Sequence, residues 1–329
     1  MPGLLARIDD RWGLAWRTAN LIRRFSLRRS LRLAANFVRP VRFERPVFVI
    51  GAPRSGTTLL FRVLAASPEL GALPREGHDM WRTYHHPRYS GWRSDAIGAG
   101  EVGLGERRFI AAYLASYLGR GQRRFVEKTP ENSLRVPYLL ELYPDAHFIV
   151  VKRDPCDVIN SLIQGWREPH GRFRSYFVPQ ELAIQDYPHR RRWCFLLIEG
   201  WRRYCEATVE ECAFEQWRQC TEALAAQRSQ LSAGRWHEVH LEHLLANPEA
   251  VVGELAAAIG IDMNSAMRAE LADGVARPVN ALSPAGEHKW RLENRREILR
   301  LLPRLAPIAR LAGYAVDPIS GDFEIVLPR

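Results

Sequence analysis

The chain is poor in cysteine, and the few it has do not pair in sequence. Cys156, Cys194, Cys205, Cys212 and Cys220 are odd in number and no two stand as Cys-x-x-Cys. That pattern leads us to expect neither a disulfide framework nor a thiolate metal site, and reduced thiols suit a cytoplasmic protein. Long apolar runs are missing too: no stretch reaches the roughly 18 residues of a membrane span, and the arginine-studded N-terminus lacks the apolar core of a signal peptide. A soluble chain, or one attached at a membrane surface, is expected.

Acidic residues are scarce at the N-terminus. Between residues 1 and 45 eleven arginines face only Asp9, Asp10 and Glu44, which accounts for most of the formal charge of +10. Such an excess attracts polyanions, anionic membrane or phosphorylated ligands. Leu4, Leu5, Ile8, Trp12, Ala15, Trp16, Ala19 and Ile22 fall at helical spacing among these arginines, and a second helix is expected over Leu27 to Val38. Two readings stay open for this extension: a membrane-surface or partner-binding segment, or helices packed on the rest of the chain. No linker divides residues 46–329, so one α/β domain is expected there.

What the chain does have is the stretch Pro46 to Leu60, PVFVIGAPRSGTTLL. Val47 to Ile50 run without charge into Gly51, the pattern of a strand buried on both faces. Gly51, Gly56, Thr57 and Thr58 follow, and then Leu59, Leu60, Val63 and Leu64 at helical spacing. Strand, glycine loop and helix start form an anion cradle, because first-turn N–H groups and the positive end of the helix dipole point at one spot. A P-loop would carry lysine where Thr57 stands. A loop without it suits a ligand with no γ-phosphate, and Arg54 supplies the cation instead.

Two further strand ends carry cations. A short strand over Arg124 to Glu127 leads to Lys128, and Thr129-Pro130 is a helix start, so Lys128 lies in the crevice where ligands of open α/β sheets bind. A buried strand over His147 to Val151 leads to Lys152-Arg153-Asp154-Pro155; Arg153 and Ser161 then offer a guanidinium fork and a hydroxyl for a second phosphate. The aromatic, basic stretch Gln164 to Arg192 is expected as a wall of an acceptor site, and the loop-like stretch Pro74 to Gly105 either as its other wall or as a surface excursion with its own small core. The spacing also predicts a long helix from about Arg192 to Leu231, a strand over Trp236 to Leu241, a helix over Glu249 to Ile259 closed by Gly260, and a last helix, Leu292 to Leu302, broken by Pro303 and Pro307.

The run Pro53-Arg54-Ser55-Gly56-Thr57-Thr58-Leu59 resembles the 5′-phosphosulfate loop of sulfotransferases that use 3′-phosphoadenosine-5′-phosphosulfate (PAPS), particularly the carbohydrate and tyrosylprotein branch and its bacterial relatives. Arg153-Asp154-Pro155 followed by Ser161 resembles that family's 3′-phosphate element. The loop Ser283 to Arg291 is similar to the one that closes over the adenosine, with Lys289 and Trp290 as its candidates. Glu76 stands, after a register shift of one, where the tyrosylprotein branch carries its catalytic glutamate; His78 is the substitute. The resemblance covers Pro46 to about Tyr314. It implies a P-loop-type parallel β-sheet flanked by helices, PAPS as donor, no metal, and a hydroxyl acceptor that is a sugar, a phenol or a lipid-linked alcohol. Arg54, the loop N–H groups and Lys128 would stabilise the leaving oxygen while Glu76 takes the acceptor proton.

Two rivals remain. An ATP-using P-loop phosphotransferase needs a lysine at position 57 and a magnesium-holding aspartate at a buried strand end, where this chain has Lys152-Arg153. A non-enzymatic membrane- or polyanion-binding protein with a degenerate nucleotide fold is suggested by the N-terminus, but Arg54, Lys128, Arg153 and Ser161 together argue against it. No nucleic-acid module is recognisable. The expected partners are a small-molecule or lipid-linked acceptor and, through residues 1–45, a membrane surface.

Overall fold

In the computed structural model, which describes residues 14–23, 25–119, 122–277 and 288–326, Val47–Ile50 (β1) is buried along its whole length. Leu27–Val38 (α1) precedes it. Thr57–Ala65 (α2), Gly71–Ala72 (β2), His78–His85 (α3), Leu104–Tyr117 (α4), Phe125–Glu127 (β3), Val136–Leu142 (α5), His147–Lys152 (β4) and Pro155–Arg167 (α6) follow. The second half adds the hairpin Arg174–Phe177 (β5) and Arg192–Cys194 (β6), then Val209–Arg228 (α7), Trp236–His240 (β7), Leu241–Ala246 (α8), Pro248–Ile259 (α9) and Ser265–Ala276 (α10). Trp290–Glu293 (α11), Arg295–Ala309 (α12) and the hairpin Tyr314–Val316 (β8) with Phe323–Ile325 (β9) close the fold.

Five strands make one sheet in the order β2-β3-β1-β4-β7, every neighbour parallel. Alternation along β1 divides the core between the two faces. Val47 and Val49 pack with Leu60, Val63 and Leu64 of α2 and with α9 and α10, whereas Phe48 and Ile50 pack with Ile110, Leu114 and Leu139 of α4 and α5. A helix-flanked parallel α/β sheet is therefore the fold, as the sequence pattern implies. The chain leaves β1 toward β2 and β3 on one side and returns to β4 on the other, so β1 marks the topological switch point where a crevice opens beyond the carboxyl ends.

Several expected elements differ. The long helix predicted from Arg192 starts only at Val209, capped by Thr208, whose Oγ1 accepts from Glu211 N (3.4 Å). Gly200 at φ 70° breaks the chain before it, and Trp193 and Trp201 pack edge to face with ring centroids 5.6 Å apart. The apolar spacing there belongs to an irregular buried segment. Conversely, α12 runs through Pro303 and Pro307 because both prolines face solvent while Leu301, Leu302, Leu305 and Ala309 bury the other side. Residues 78–85, expected as loop, form α3. Thr129 starts a short 3-10 turn, Pro130–Leu134, and its hydroxyl is used elsewhere than as a cap.

In the N-terminal extension, α1 packs on α4. Leu33 is buried, and Arg32 donates through Nη2 to Ala115 O (3.1 Å) and to Leu118 O, satisfying the last carbonyls of that helix. The first expected helix is described only from residue 14; Leu4, Leu5, Ile8 and Trp12 lie outside the described residues. Among the described residues no helix is long and apolar enough to cross a membrane.

Candidate active site

The loop after β1 keeps its shape because two positions admit no side chain. A Cβ on Gly51 would sit 2.5 Å from Val151 O on the neighbouring strand, and one on Gly56, at φ 93°, 2.8 Å from Leu241 Cδ1. Ser133 clamps the loop entrance by accepting from Gly51 N (3.0 Å) and donating to Gly51 O (2.7 Å). Helix α2 then begins at Thr57 with no side chain capping its N-terminus, which leaves its first amides for a ligand. Pro53, Arg54, Gly56, Thr57 and Thr58 line a cleft of about 630 Å³. Ser55, expected with them, is buried and lines a small separate cavity beside Val150 and Lys152.

Arg54 was expected beside Lys128, and here the side chains differ. Its backbone is left-handed (φ 76°), a conformation that costs a non-glycine residue on the order of 1 kcal/mol. This turns the guanidinium toward α6, where Nε donates to Ser161 Oγ (3.0 Å) and the ring of Phe173 lies 4.9 Å away. Arg153 joins it, donating through Nη1 to Arg54 O (3.3 Å). Burial, with the charges of Arg153 and Arg172, lowers the Arg54 pKa to about 10. Cations crowd here closely enough to disfavour one another, which is how an anion site is built.

Asp157, one turn before Ser161, takes no part in that cluster except through Arg153 Nη2 at 3.6 Å. Its two oxygens instead accept from His288 N (3.0 Å) and Trp290 N (3.4 Å). Lys289, between them, lines the cleft. Trp290 does not: it is fully buried in the core, where Gly321 approaches so closely that a Cβ would meet the indole at 2.7 Å. Trp290 is an anchor of the segment rather than a ligand contact, a correction to the expectation. Residues 283–287 of the same loop lie outside the described residues.

The opposite wall is organised by charge. Glu127, wholly buried at the end of β3, accepts from Thr129 Oγ1 (2.5 Å), Asn132 Nδ2 (2.7 Å) and Gly77 N (3.2 Å), and Thr129 Oγ1 also accepts from Gly77 N (2.9 Å). The segment carrying Glu76 and His78 is thus pinned to the strand that carries Lys128. Lys128 Nζ meets Thr58 Oγ1 (3.1 Å) and Glu76 Oε1; Glu76 Oε2 lies 2.6 Å from His78 Nε2. His78 Nδ1 forms an ion pair with Glu131 Oε2 at 3.0 Å, and Arg82 Nη2 bonds Glu131 Oε1 at 2.7 Å. The result is an alternating row, Lys128, Glu76, His78, Glu131, Arg82.

This row sets the protonation states. Burial alone would lower His78, but the charge of Glu131 and the bonds to both glutamates push it up to about 10, so it is an imidazolium at neutral pH. Burial alone would raise Glu76, but the His78 bond and the Lys128 charge hold it below its usual value, as a carboxylate. A cationic His78 has no lone pair with which to accept a proton. Glu131 and Arg82 went unassigned in the sequence, where only the density of polar residues from Glu127 to Asn132 hinted at a buried network.

Of the two aromatic stretches, the first contributes Glu76 and His78 to the cleft and sends Trp81 into the core. The second lines it with Gln164, Arg172, Phe173 and Ser175.

A model of the sulfotransferase family matches residues 46–194, which hold the loop, Lys128, Arg153 and the charged row. Among curated relatives, nodulation protein NoeE of Sinorhizobium fredii is 32% identical over 134 residues, 37% of this chain and 32% of that protein. Protein-tyrosine sulfotransferase A of Caenorhabditis elegans is 25% identical over 289 residues, covering 83% and 67%. A putative protein-tyrosine sulfotransferase of Caenorhabditis briggsae is 32% identical over 128 residues, and the match spans 44% of that protein, so this chain spans less than half the length of it and of NoeE. The fold is shared with sulfotransferase STF9 from Mycobacterium avium, at 14% identity and a TM-score of 0.55 over 90% of this chain and 82% of that one. Over residues 46–194, just under half of the chain, the sequence is thus similar to the sulfotransferase family.

Proposed function

We propose that the chain transfers a sulfuryl group from PAPS to an acceptor hydroxyl. The observation that carries this reading is the convergence of an uncapped helix N-terminus, Arg54, Arg153, Ser161 and Lys128 on one cleft at the switch point of the sheet. Two anion subsites fit there: the amides opening α2 suit a 5′-phosphosulfate, and Arg153, Ser161 and Arg54 suit a 3′-phosphate. The crowded cations, with Arg54 lowered by burial and by its cationic neighbours, support an anionic ligand of this kind. Lys289, held by the Asp157 anchor, would cover the same ligand.

PAPS brings a phosphosulfate anhydride whose bridging oxygen gains charge as the bond to sulfur breaks. Lys128 Nζ and the α2 amides are the donors for that oxygen. Glu76 Oε1 is the proton acceptor, and it is ionised and ready at neutral pH. As Lys128 turns to the leaving oxygen, Glu76 loses one counter-charge; His78, kept cationic by Glu131, supplies the other. The acceptor proton ends on Glu76.

Incubation with 35S-labelled PAPS and a panel of sugar, phenol and lipid-linked alcohols tests the proposal. Label transfer to any class is expected. Tight binding of adenosine 3′,5′-bisphosphate without transfer to any acceptor would leave a nucleotide-binding protein and overturn it.

A further inference from the structure

Exposed large apolar side chains are unevenly spread over the surface. Trp16, Leu27, Leu31, Phe37 and Val38 all belong to the N-terminal extension, with Leu27 78%, Leu31 62% and Val38 75% exposed. The way α1 packs explains the exposure. Its inner side carries Arg29, whose guanidinium lies 4.2 Å over the Tyr117 ring, then Arg32 on the carbonyls of Ala115 and Leu118, and the buried Leu33. At 100° per residue, Leu27, Leu31, Ala34 and Val38 fall within an arc of about 60° on the opposite side. Two arginines thus face the protein, and a stripe of leucine, alanine and valine faces out.

That outer stripe is flanked by cations. Arg23, Arg28, Arg39 and Arg42 are exposed, and residues 14–43 contain no aspartate or glutamate. An apolar stripe bordered by positive charge fits the boundary of an anionic bilayer, where the stripe enters the acyl region and the arginines meet headgroups. A second copy of this chain would present the same cations to these, which disfavours self-association through this face. We propose that the outer face of α1 is a docking surface for an anionic membrane.

Co-sedimentation of the full chain with phosphatidylcholine vesicles, with and without phosphatidylserine, tests it. Binding is expected only with the anionic lipid and should weaken as salt rises. The double variant Leu27→Glu/Leu31→Glu alters two solvent-exposed side chains, so folding should be kept. Its partition constant should fall on the order of a hundredfold, about tenfold for each leucine removed from lipid. Arg28→Glu/Arg39→Glu should lose the preference for phosphatidylserine. Failure of the unmodified chain to sediment would overturn the proposal. So would unchanged sedimentation of the leucine variant, or a dimer in light scattering that the leucine variant converts to monomer with vesicle binding intact. Binding of adenosine 3′,5′-bisphosphate should be the same in every variant, which separates this test from that of the active site.

Discussion

The two walls of the cleft are built by different means. On the phosphate-facing wall, backbone elements place most groups, the amides at the start of α2, Arg153 at the end of β4 and Ser161 on α6, and long-range bonds such as Ser133 to Gly51 and Arg54 to Ser161 tie the loop to them. On the opposite wall, position depends on partners far away in sequence, since Lys128 and Glu76 stand 52 residues apart and so do Thr129 and Gly77. A wall of the first kind is rigid before anything binds. A wall of the second kind is held by ion pairs whose loss changes charge states as well as geometry.

If that contrast is right, the base wall should be the more fragile in turnover. The largest expected effect is from Glu76→Gln, which removes the proposed proton acceptor and should lower kcat by ~10² to 10⁴ with nucleotide affinity unchanged. An acidic phenol that is already ionised should recover much of that loss, and steady-state kinetics with paired alcohol and phenol acceptors would reveal it. Near wild-type turnover of an aliphatic alcohol by this variant would remove Glu76 from its role.

Lys128→Ala comes next. Removing the cation proposed to meet the leaving oxygen should cost about 10² to 10³ in kcat and much less in nucleotide affinity, with no rescue by the phenol. Rescue by the phenol would mean that Lys128 serves Glu76 alone, and the contrast between donor and base would collapse.

The legibility of the site in the sequence follows the same division. Val47–Ile50, the glycine loop and Arg153 with Ser161 could be found because a strand–loop–helix writes its geometry into consecutive residues. Glu131, Arg82 and the buried anchor Glu127 could not, since a lone charge in sequence does not announce its partner. The fold was legible where periodicity was clean, as in β1, β4 and α9. It was not where packing overrode local rules: the start of the helix expected from Arg192 proved to be an irregular segment before Val209, and α12 carries two prolines on its solvent face. Arg54 was found by type but not by direction, because only its left-handed backbone turns it to Ser161.

A smaller effect concerns pH. Glu76 is depressed below the ordinary 4.5, so what it contributes to stability is present above that value and is lost as pH falls through its lower folded pKa. His78 is raised from 6.5 to about 10, so its contribution is complete below 6.5 and is lost as pH rises toward about 10. The rate should therefore show no step from His78 between about pH 6 and 8. Carbon-13 labelled histidine followed by NMR checks this, and a His78 ring titrating near 6.5 would break the charged row as described.

The central claim is that the cleft is made for two anionic groups on one nucleotide. Calorimetry with adenosine 3′,5′-bisphosphate and with AMP tests it most directly. Charge-assisted hydrogen bonds to a 3′-phosphate, at about 1.5 to 3 kcal/mol, should make the bisphosphate bind roughly one to two decades more tightly, and Arg153→Ala should erase most of that difference. Equal affinity for the two nucleotides, or a magnesium-dependent preference for ATP over both, would contradict the account.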